Sequence, residues 1–155
     1  MTPTEKANAS VMLDIFSAIE RRDAPRLAEL CHTDVEFCWP AALPYGGTAR
    51  GFRTEPPTWI HTWAPLQPTA AERSMEPRVV AASGDEVVVL WRQRGLSPSG
   101  ERFDGPVLAL YRVHDGKLAR AQMFYYDTPA LVEFLARAVA GPRSPNGQSR
   151  AAEAG

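Results

Sequence analysis

Two polar residues that could carry out acid–base chemistry, Tyr125 and Asp127, lie close together near the carboxyl end of the chain. They follow Ala121 and Met123 at two-residue spacing, so the four side chains would share one face of an extended strand. A carboxylate against apolar walls has a raised pKa and can act as a general acid or base. The alternative role for Asp127 is structural, because Asp-Thr-Pro-Ala is also a typical helix start that an aspartate caps.

Arg92 and Arg94 could supply hydrogen-bond donors to a developing enolate or oxyanion. They lie in a strongly β-forming run, in which alternate residues point to opposite faces of a sheet. Hydrophobicity would bury Val87, Val89 and Trp91 and leave the arginines outside, where they could face a second copy of the chain. An inward Arg92 would need a partner for its buried charge. The possible partners are Glu36, Asp104 and Tyr111.

The three histidines are weaker candidates. His61 lies on a predicted short helix, about 200° around from Trp59. We keep it as an alternative acid or base. His114 lies in a predicted hairpin turn and His32 at a predicted helix-to-strand corner, where solvated and structural roles are expected. No two histidines have metal-ligand spacing on a confidently predicted element, so we predict no metal site. We predict no cofactor either.

Aromatic residues from several segments indicate an apolar pocket more clearly than any polar group indicates a reaction. Trp39, Tyr45 and Trp63 flank a glycine-rich loop, where large amphipathic rings often line the mouth of a pocket. For Phe16 and Phe37 the preferred interpretation is an ordinary core position. Such a pocket would suit a flat, hydrophobic or polycyclic ligand. The residues predicted to bind it are Phe16, Trp39, Tyr45, Trp59, Trp63 and Met123.

The hydrophobic pattern predicts helices first and strands afterwards. Helical spacing predicts a helix over about 7–22, and Asp23 would cap a short second helix. Proline at 56 and 57 suggests a third helix that ends near Ala64. The predicted strands are 35–39, 75–82, 86–94, 102–113 and 118–126, with a loop at 41–51 and a final helix at 128–140. The close connections between the later strands imply antiparallel neighbours.

Composition places the chain among ordinary globular proteins. Its 155 residues suit one domain, which we place at residues 1–140, followed by a disordered tail at 141–155. A net charge of −1 gives no reason to expect nucleic acid or an anionic membrane as partner. The N-terminus lacks the apolar segment of a signal peptide, and no apolar run reaches membrane-spanning length. We therefore expect a cytoplasmic protein.

Three stretches resemble the nuclear-transport-factor-2-like superfamily, and within it the SnoaL-like and ketosteroid-isomerase-like branch. They are IFSAIERRDAPRLAELCHTDVEF (15–37), PYGGTARG (44–51) and YRVHDGKLARAQMFYYDTPALVEFL (111–135). The resemblance covers roughly residues 9–136. It implies an α+β fold, a curved antiparallel sheet wrapped around N-terminal helices, forming a cone with an internal pocket. Members include polyketide cyclases, isomerases and dehydratases, and homodimers through the outer sheet face are common among them.

The resemblance also says where catalytic groups would lie. The isomerase branch uses two carboxylates and a tyrosine, and the matching positions here are Trp39, Ala109 and Phe16, so steroid-type isomerisation by that constellation is excluded. The acidic residue of SnoaL-type cyclases falls near Gln122 to Phe124, with Asp127 as the nearest carboxylate. The register of the branch would place the face that carries Tyr125 and Asp127 inside the cone, together with Arg92 and Arg94.

Two functions follow as hypotheses. One is a cofactor-independent cyclase, isomerase or dehydratase acting on a hydrophobic polyketide- or terpenoid-like intermediate in specialised metabolism. It would use Asp127 or His61 as acid or base, with Tyr125, Tyr45 or Arg92 as donor. The other is a non-catalytic small-molecule-binding or dimeric scaffold protein of the same fold.

Overall fold

Residues 1–51 and 64–140 are described by the computed structural model of the chain. The helices are α1 (Pro3–Glu20), α2 (Ala24–Leu30), α3 (Ala70–Arg73) and α4 (Thr128–Ala140). The strands are β1 (Cys31–Trp39), β2 (Gly47–Arg50), β3 (Arg78–Ser83), β4 (Glu86–Leu96), β5 (Arg102–His114) and β6 (Lys117–Tyr125). The predicted α+β fold class is confirmed.

Local sequence accounts for both N-terminal helices. α1 begins earlier than predicted, because Thr2 and Glu5 form a reciprocal capping box that satisfies backbone N–H groups of the first turn. α2 begins after Asp23 as predicted, and the Asp23 carboxylate accepts a hydrogen bond from the backbone N–H of Arg26 at 3.1 Å. The helix α1 buries one apolar stripe, formed by Met12, Ile15 and Phe16.

The first strands depart from the prediction in extent. β1 begins at Cys31, directly after α2, so the corner expected at His32 lies within the strand. β2 occupies part of the segment predicted as the 41–51 loop, because its backbone pairs antiparallel with β1. Glycine-rich sequence predicts turns correctly, but pairing with a neighbouring strand decides whether the residues between two turns are extended.

The segment before β4 was also predicted imperfectly. β3 begins at Arg78 rather than Met75, because Glu76 adopts a left-handed backbone conformation (φ 48°) immediately before Pro77. The predicted third helix lies outside the described residues, except for Ala64, which is in a turn. The four-residue α3 was not predicted.

Within residues 1–51 and 64–140, a curved, unclosed six-stranded sheet carries the fold, with the order β2-β1-β6-β5-β4-β3. All pairs are antiparallel except β1 with β6, which is parallel. The hairpins β3–β4, β4–β5 and β5–β6 follow one another along the chain, as their short connections predict. The parallel pair brings the first strand beside the last and therefore places the residues after β1 near the end of β6.

The helices cover one face of this sheet and form two adjoining apolar clusters. The first cluster joins α1 to the inner residues of the central strands. The second joins α4 to the 43–45 loop and Leu66, and Phe134 is its largest fully buried side chain. Trp39 and Tyr125 pack against both clusters and therefore lie at the boundary between them.

Candidate functional site

The alternation of β4 decides which side chains face the helices. Val87, Val89, Trp91 and Gln93 are all at most 5% exposed, whereas the residues between them are only partly buried. The inner set is therefore the one that hydrophobicity favours. Gln93 is 1% exposed and is the polar member of this inner row.

The inward orientation of Arg92 and Arg94 implied by the isomerase register is wrong. Both side chains lie on the outer face of the sheet, where Asp104 of β5 pairs with them. Arg92 Nε donates to Asp104 Oδ1 at 2.7 Å, and Arg94 Nε lies 3.5 Å from Asp104 Oδ2. The physical reason is that an unpartnered guanidinium in the apolar interior would cost far more free energy than this solvated ion pair. Arg92 is consequently not placed to polarise a ligand inside the cone.

Tyr45 reaches the interior from a loop made of two successive tight turns. The Leu43 N–H donates to the Pro40 carbonyl at 3.1 Å, and the Gly46 N–H donates to the Leu43 carbonyl at 2.8 Å. A Cβ atom at Gly46 would overlap the Pro40 carbonyl oxygen and lie 2.8 Å from the Ala41 oxygen, so only glycine fits there. The turns direct Leu43 and Tyr45 inward, and both are at least nine-tenths buried.

Tyr45 and Tyr125 form a pair of phenols at the boundary of the two clusters. Their hydroxyl oxygens lie 3.4 Å apart, at the long end of hydrogen-bond distance. Burial raises the pKa of Tyr125 well above its ordinary value, and the neighbouring Tyr45 and Tyr111 phenols raise it further. The Tyr125 hydroxyl therefore remains protonated at neutral pH and can donate a hydrogen bond.

Aromatic rings surround this pair on both sides. Trp39 contacts Tyr45 edge-on with ring centroids 5.7 Å apart, and Trp91 contacts Tyr125 in the same manner at 6.3 Å. Phe16 of α1 lies 5.9 Å from Trp91, which links the helix to the same network. Of the predicted ligand-binding residues, the structure brings Phe16, Trp39 and Tyr45 into one network, with Met123 inward-facing on β6.

Two further members of this network, Trp91 and Tyr111, were not among the predicted ligand-binding residues. Burial raises the pKa of the Tyr111 hydroxyl, and the nearby Trp91 indole N–H partly offsets this rise. Among the described residues, this indole N–H makes no hydrogen bond of ordinary geometry. The two-residue alternation of β4 and β5 places both side chains on the inner face and could have identified them.

Asp127 caps a helix, which is the structural role considered above as the alternative to acid–base catalysis. β6 ends at Tyr125, and the exposed Asp127 carboxylate accepts a hydrogen bond from the backbone N–H of Ala130 at 3.1 Å, capping α4. Asp127 therefore does not join Tyr125 on the inner face. The candidates His61, Trp59 and Trp63 lie outside the described residues.

The polar groups described at the aromatic network are uncharged at neutral pH. They are phenols, an indole N–H and the nearby Gln93 carboxamide, groups that donate or accept hydrogen bonds without carrying charge. Over residues 1–51 and 64–140, no group of three or more His, Cys, Asp or Glu side chains is arranged to hold a metal ion. No helix in the same ranges is long and apolar enough to cross a bilayer.

These features define a class of protein, an α+β fold in which a curved sheet wraps around helices and encloses an aromatic interior. The model of the SnoaL-like domain family matches residues 13–121, so the chain belongs to the SnoaL-like domain family. The resemblance found in the sequence is thereby confirmed. No curated protein matches the chain.

Solved structures agree with this fold. A protein of unknown function with a cystatin-like fold from Xanthomonas campestris superposes with a TM-score of 0.68 at 21% identity, over 84% of this chain and 98% of that one. TerC, crystallised with polyporic acid, superposes at 0.64 with 22% identity, over 84% and 99% of the two chains. A candidate polyketide cyclase from Xanthomonas campestris pv. campestris gives 0.59 with 16% identity, over 84% and 98%.

Proposed function

We propose that the chain binds a flat, hydrophobic small molecule in its aromatic interior and polarises a carbonyl or enolate oxygen of that molecule through Tyr45 and Tyr125. The proposal rests on the two phenol hydroxyls 3.4 Å apart, held among apolar and aromatic side chains. In such surroundings a hydrogen bond to a developing negative charge is worth more than it is in water.

The reaction class that this geometry supports is cyclisation, isomerisation or dehydration of a polyketide- or terpenoid-like intermediate in specialised metabolism, without a cofactor. On a carbonyl-bearing, polyketide-like substrate these reactions pass through enolates, which two adjacent hydroxyl donors can stabilise. A proton must also be removed from carbon. Since Asp127 is exposed and caps α4, His61 is our proposed acid or base. A candidate polyketide cyclase and TerC, crystallised with polyporic acid, share this fold and are in keeping with such a ligand.

Binding without catalysis is the second candidate function. It is favoured by the uncharged character of the polar groups described at the aromatic network. Deuterium incorporation next to the carbonyl of a bound ketone, followed by NMR in D₂O, separates the two functions. An enzyme accelerates the exchange, whereas a binding protein leaves its rate unchanged.

We expect Tyr45→Phe and Tyr125→Phe each to weaken ligand binding about tenfold, since each removes one hydrogen-bond donor and preserves the ring. The measurement is quenching of tryptophan fluorescence by a panel of planar aromatic carbonyl compounds that includes polyporic acid. Tyr126→Phe is the matched control, because Tyr126 is 85% exposed. Asp127→Asn should leave both binding and exchange unchanged, because asparagine also caps helices. Wild-type-like binding by both inner variants would remove the tyrosine pair from the proposal.

We also propose that the outer face of the sheet forms a homodimer. Leu90, Leu108 and Phe124 lie in register across β4, β5 and β6, and Leu108 and Phe124 are 44% and 52% exposed. Outer residues towards both ends of these strands carry charges of both signs, so a second copy of the same face can pair opposite charges. The proposed small-molecule site lies on the other face of the sheet.

Leu108→Glu should convert the dimer to a monomer in sedimentation velocity runs, because it places a carboxylate in the middle of the apolar row. Val139→Glu is the control, since Val139 is 62% exposed on α4, away from this face. Unchanged sedimentation of the Leu108 variant as a dimer would exclude this interface.

A further inference from the structure

A cleft of about 340 Å³ opens on the outer face of the sheet, away from the aromatic interior. Irregular strand pairing creates it. Between Cys31 and Glu36, β1 loses register with β6, so the segment 32–35 bulges away from its neighbour. The pairing of β5 with β6 also shifts register, directly after Arg112 of β5. Such bulges break the ladder and redirect side chains, so the cleft belongs to the architecture of the sheet.

Basic side chains dominate the lining of this cleft. Three arginines and two histidines line it together with two carboxylates, Asp34 and Glu36, and the carboxylates of Asp85 and Glu86 lie beside Arg112. The lining residues that matter here are His32, Glu36, Arg50, Arg112, His114 and Arg120. His32 Nε2 lies 2.8 Å from the backbone carbonyl of His114, which holds this rim together.

Arg112 and Arg120 are direct cross-strand neighbours on β5 and β6. Like charges in this position repel each other and destabilise a sheet. Carboxylates lie beside both arginines without closing a short hydrogen bond. Arg112 lies 3.5 Å from Glu86 and 3.7 Å from Asp85, and Arg120 Nε lies 3.6 Å from Glu36, and all three distances are longer than a charge-assisted hydrogen bond.

Neither arginine donates a side-chain hydrogen bond to any described residue, and Arg120 Nε is buried without a partner in that part of the chain. Arg50 differs, since it donates to Glu36. Two adjacent guanidinium groups with unused donors therefore face one cleft. An anion with two or three oxygens would relieve their repulsion and satisfy both forks.

We propose that this cleft binds the carboxylate or phosphate group of a small molecule, bridged between Arg112 and Arg120. The site is separate from the interior proposed to bind the hydrophobic ligand, because its lining residues project from the opposite face of the same strands.

The test is isothermal titration of the full chain with two probes, succinate and inorganic phosphate, at low ionic strength. The Leu108→Glu background is titrated in parallel, so that a dimer interface cannot hide the cleft. We expect saturable binding of at least one probe, and which probe binds distinguishes a carboxylate site from a phosphate site. Arg112→Gln and Arg120→Gln should each weaken that binding at least tenfold.

Arg92→Gln is the matched control, because Arg92 lies on the same face but is already bonded to Asp104. It should retain wild-type affinity. The proposal is overturned if neither probe binds in either background, or if the control loses as much affinity as the two cleft variants. A circular dichroism spectrum of each variant verifies that the sheet is intact, and Arg112→Lys, which keeps the charge but not the fork, should bind with intermediate affinity.

Discussion

Phe134→Ala should lower the free energy of unfolding by about 3–5 kcal/mol, the range for removing a buried aromatic ring. Phe134 is 1% exposed, lies 5.6 Å from Phe103 between ring centroids, and packs directly over the backbone of Gly95. Because a Cβ at Gly95 would come within 2.8 Å of the Phe134 ring, the two positions fit each other closely. The vacated volume cannot be filled by a small shift of one neighbour.

Urea denaturation followed by circular dichroism measures this loss. Val139→Ala on the same helix is the control and should change stability by less than about 0.5 kcal/mol, because Val139 is exposed. A loss below about 1 kcal/mol for Phe134→Ala would mean that α4 does not hold its end of the sheet in the described manner.

Gly46→Ala should abolish high-affinity ligand binding and cost about 1–3 kcal/mol of stability, the range for overpacking. The added methyl group overlaps the backbone of Pro40 and Ala41, so one of the two turns must open. Tyr45, one residue earlier, would then leave its position beside Tyr125. Binding should therefore fall further than in Tyr45→Phe, which keeps the ring in place.

The fluorescence titration used for the tyrosine variants also measures this effect. Ala42→Ser is the control, because Ala42 lies in the same loop and is exposed, so a hydroxyl group there extends into solvent. Wild-type affinity in Gly46→Ala would show that the position of Tyr45 does not govern binding.

The fold was largely predictable because its local patterns agree with its tertiary contacts. Asp23 predicts the start of α2, and the Asp-Gly sequence at 115–116 predicts the β5–β6 turn, where both residues have positive φ. The strand β2 was not predictable from its own four residues. It forms because its backbone pairs with the free edge of β1, and this pairing cannot be read from the four residues themselves.

The site was predictable in its residue types and less so in their geometry. Tyr45 and Tyr125 were both expected to face a pocket, but nothing local indicates that residues 80 apart in sequence bring their hydroxyls together. Asp127 and Arg92 were predicted as catalytic candidates, but neither side chain lies at the aromatic network. A carboxylate or guanidinium in an apolar strand suggests a catalytic role. The solvated position has the lower free energy, however, when the group can cap a helix or form an ion pair at the surface.

The parallel pairing of β1 with β6 has a consequence for the order in which the chain can fold. β1 lies between β2 and β6 in the sheet. Until β6 is synthesised, about 80 residues later, β1 can pair only with the four-residue strand β2. The three consecutive hairpins can form from local contacts, whereas this closing contact must first overcome the entropy of a long loop. During synthesis the edge of β1 that pairs with β6, and the side chains of Phe37 and Trp39 beside it, would stay exposed until residues 117–125 have emerged from the ribosome. The segment that completes the aromatic interior is thus also the segment that ends the period in which the chain is most prone to aggregate.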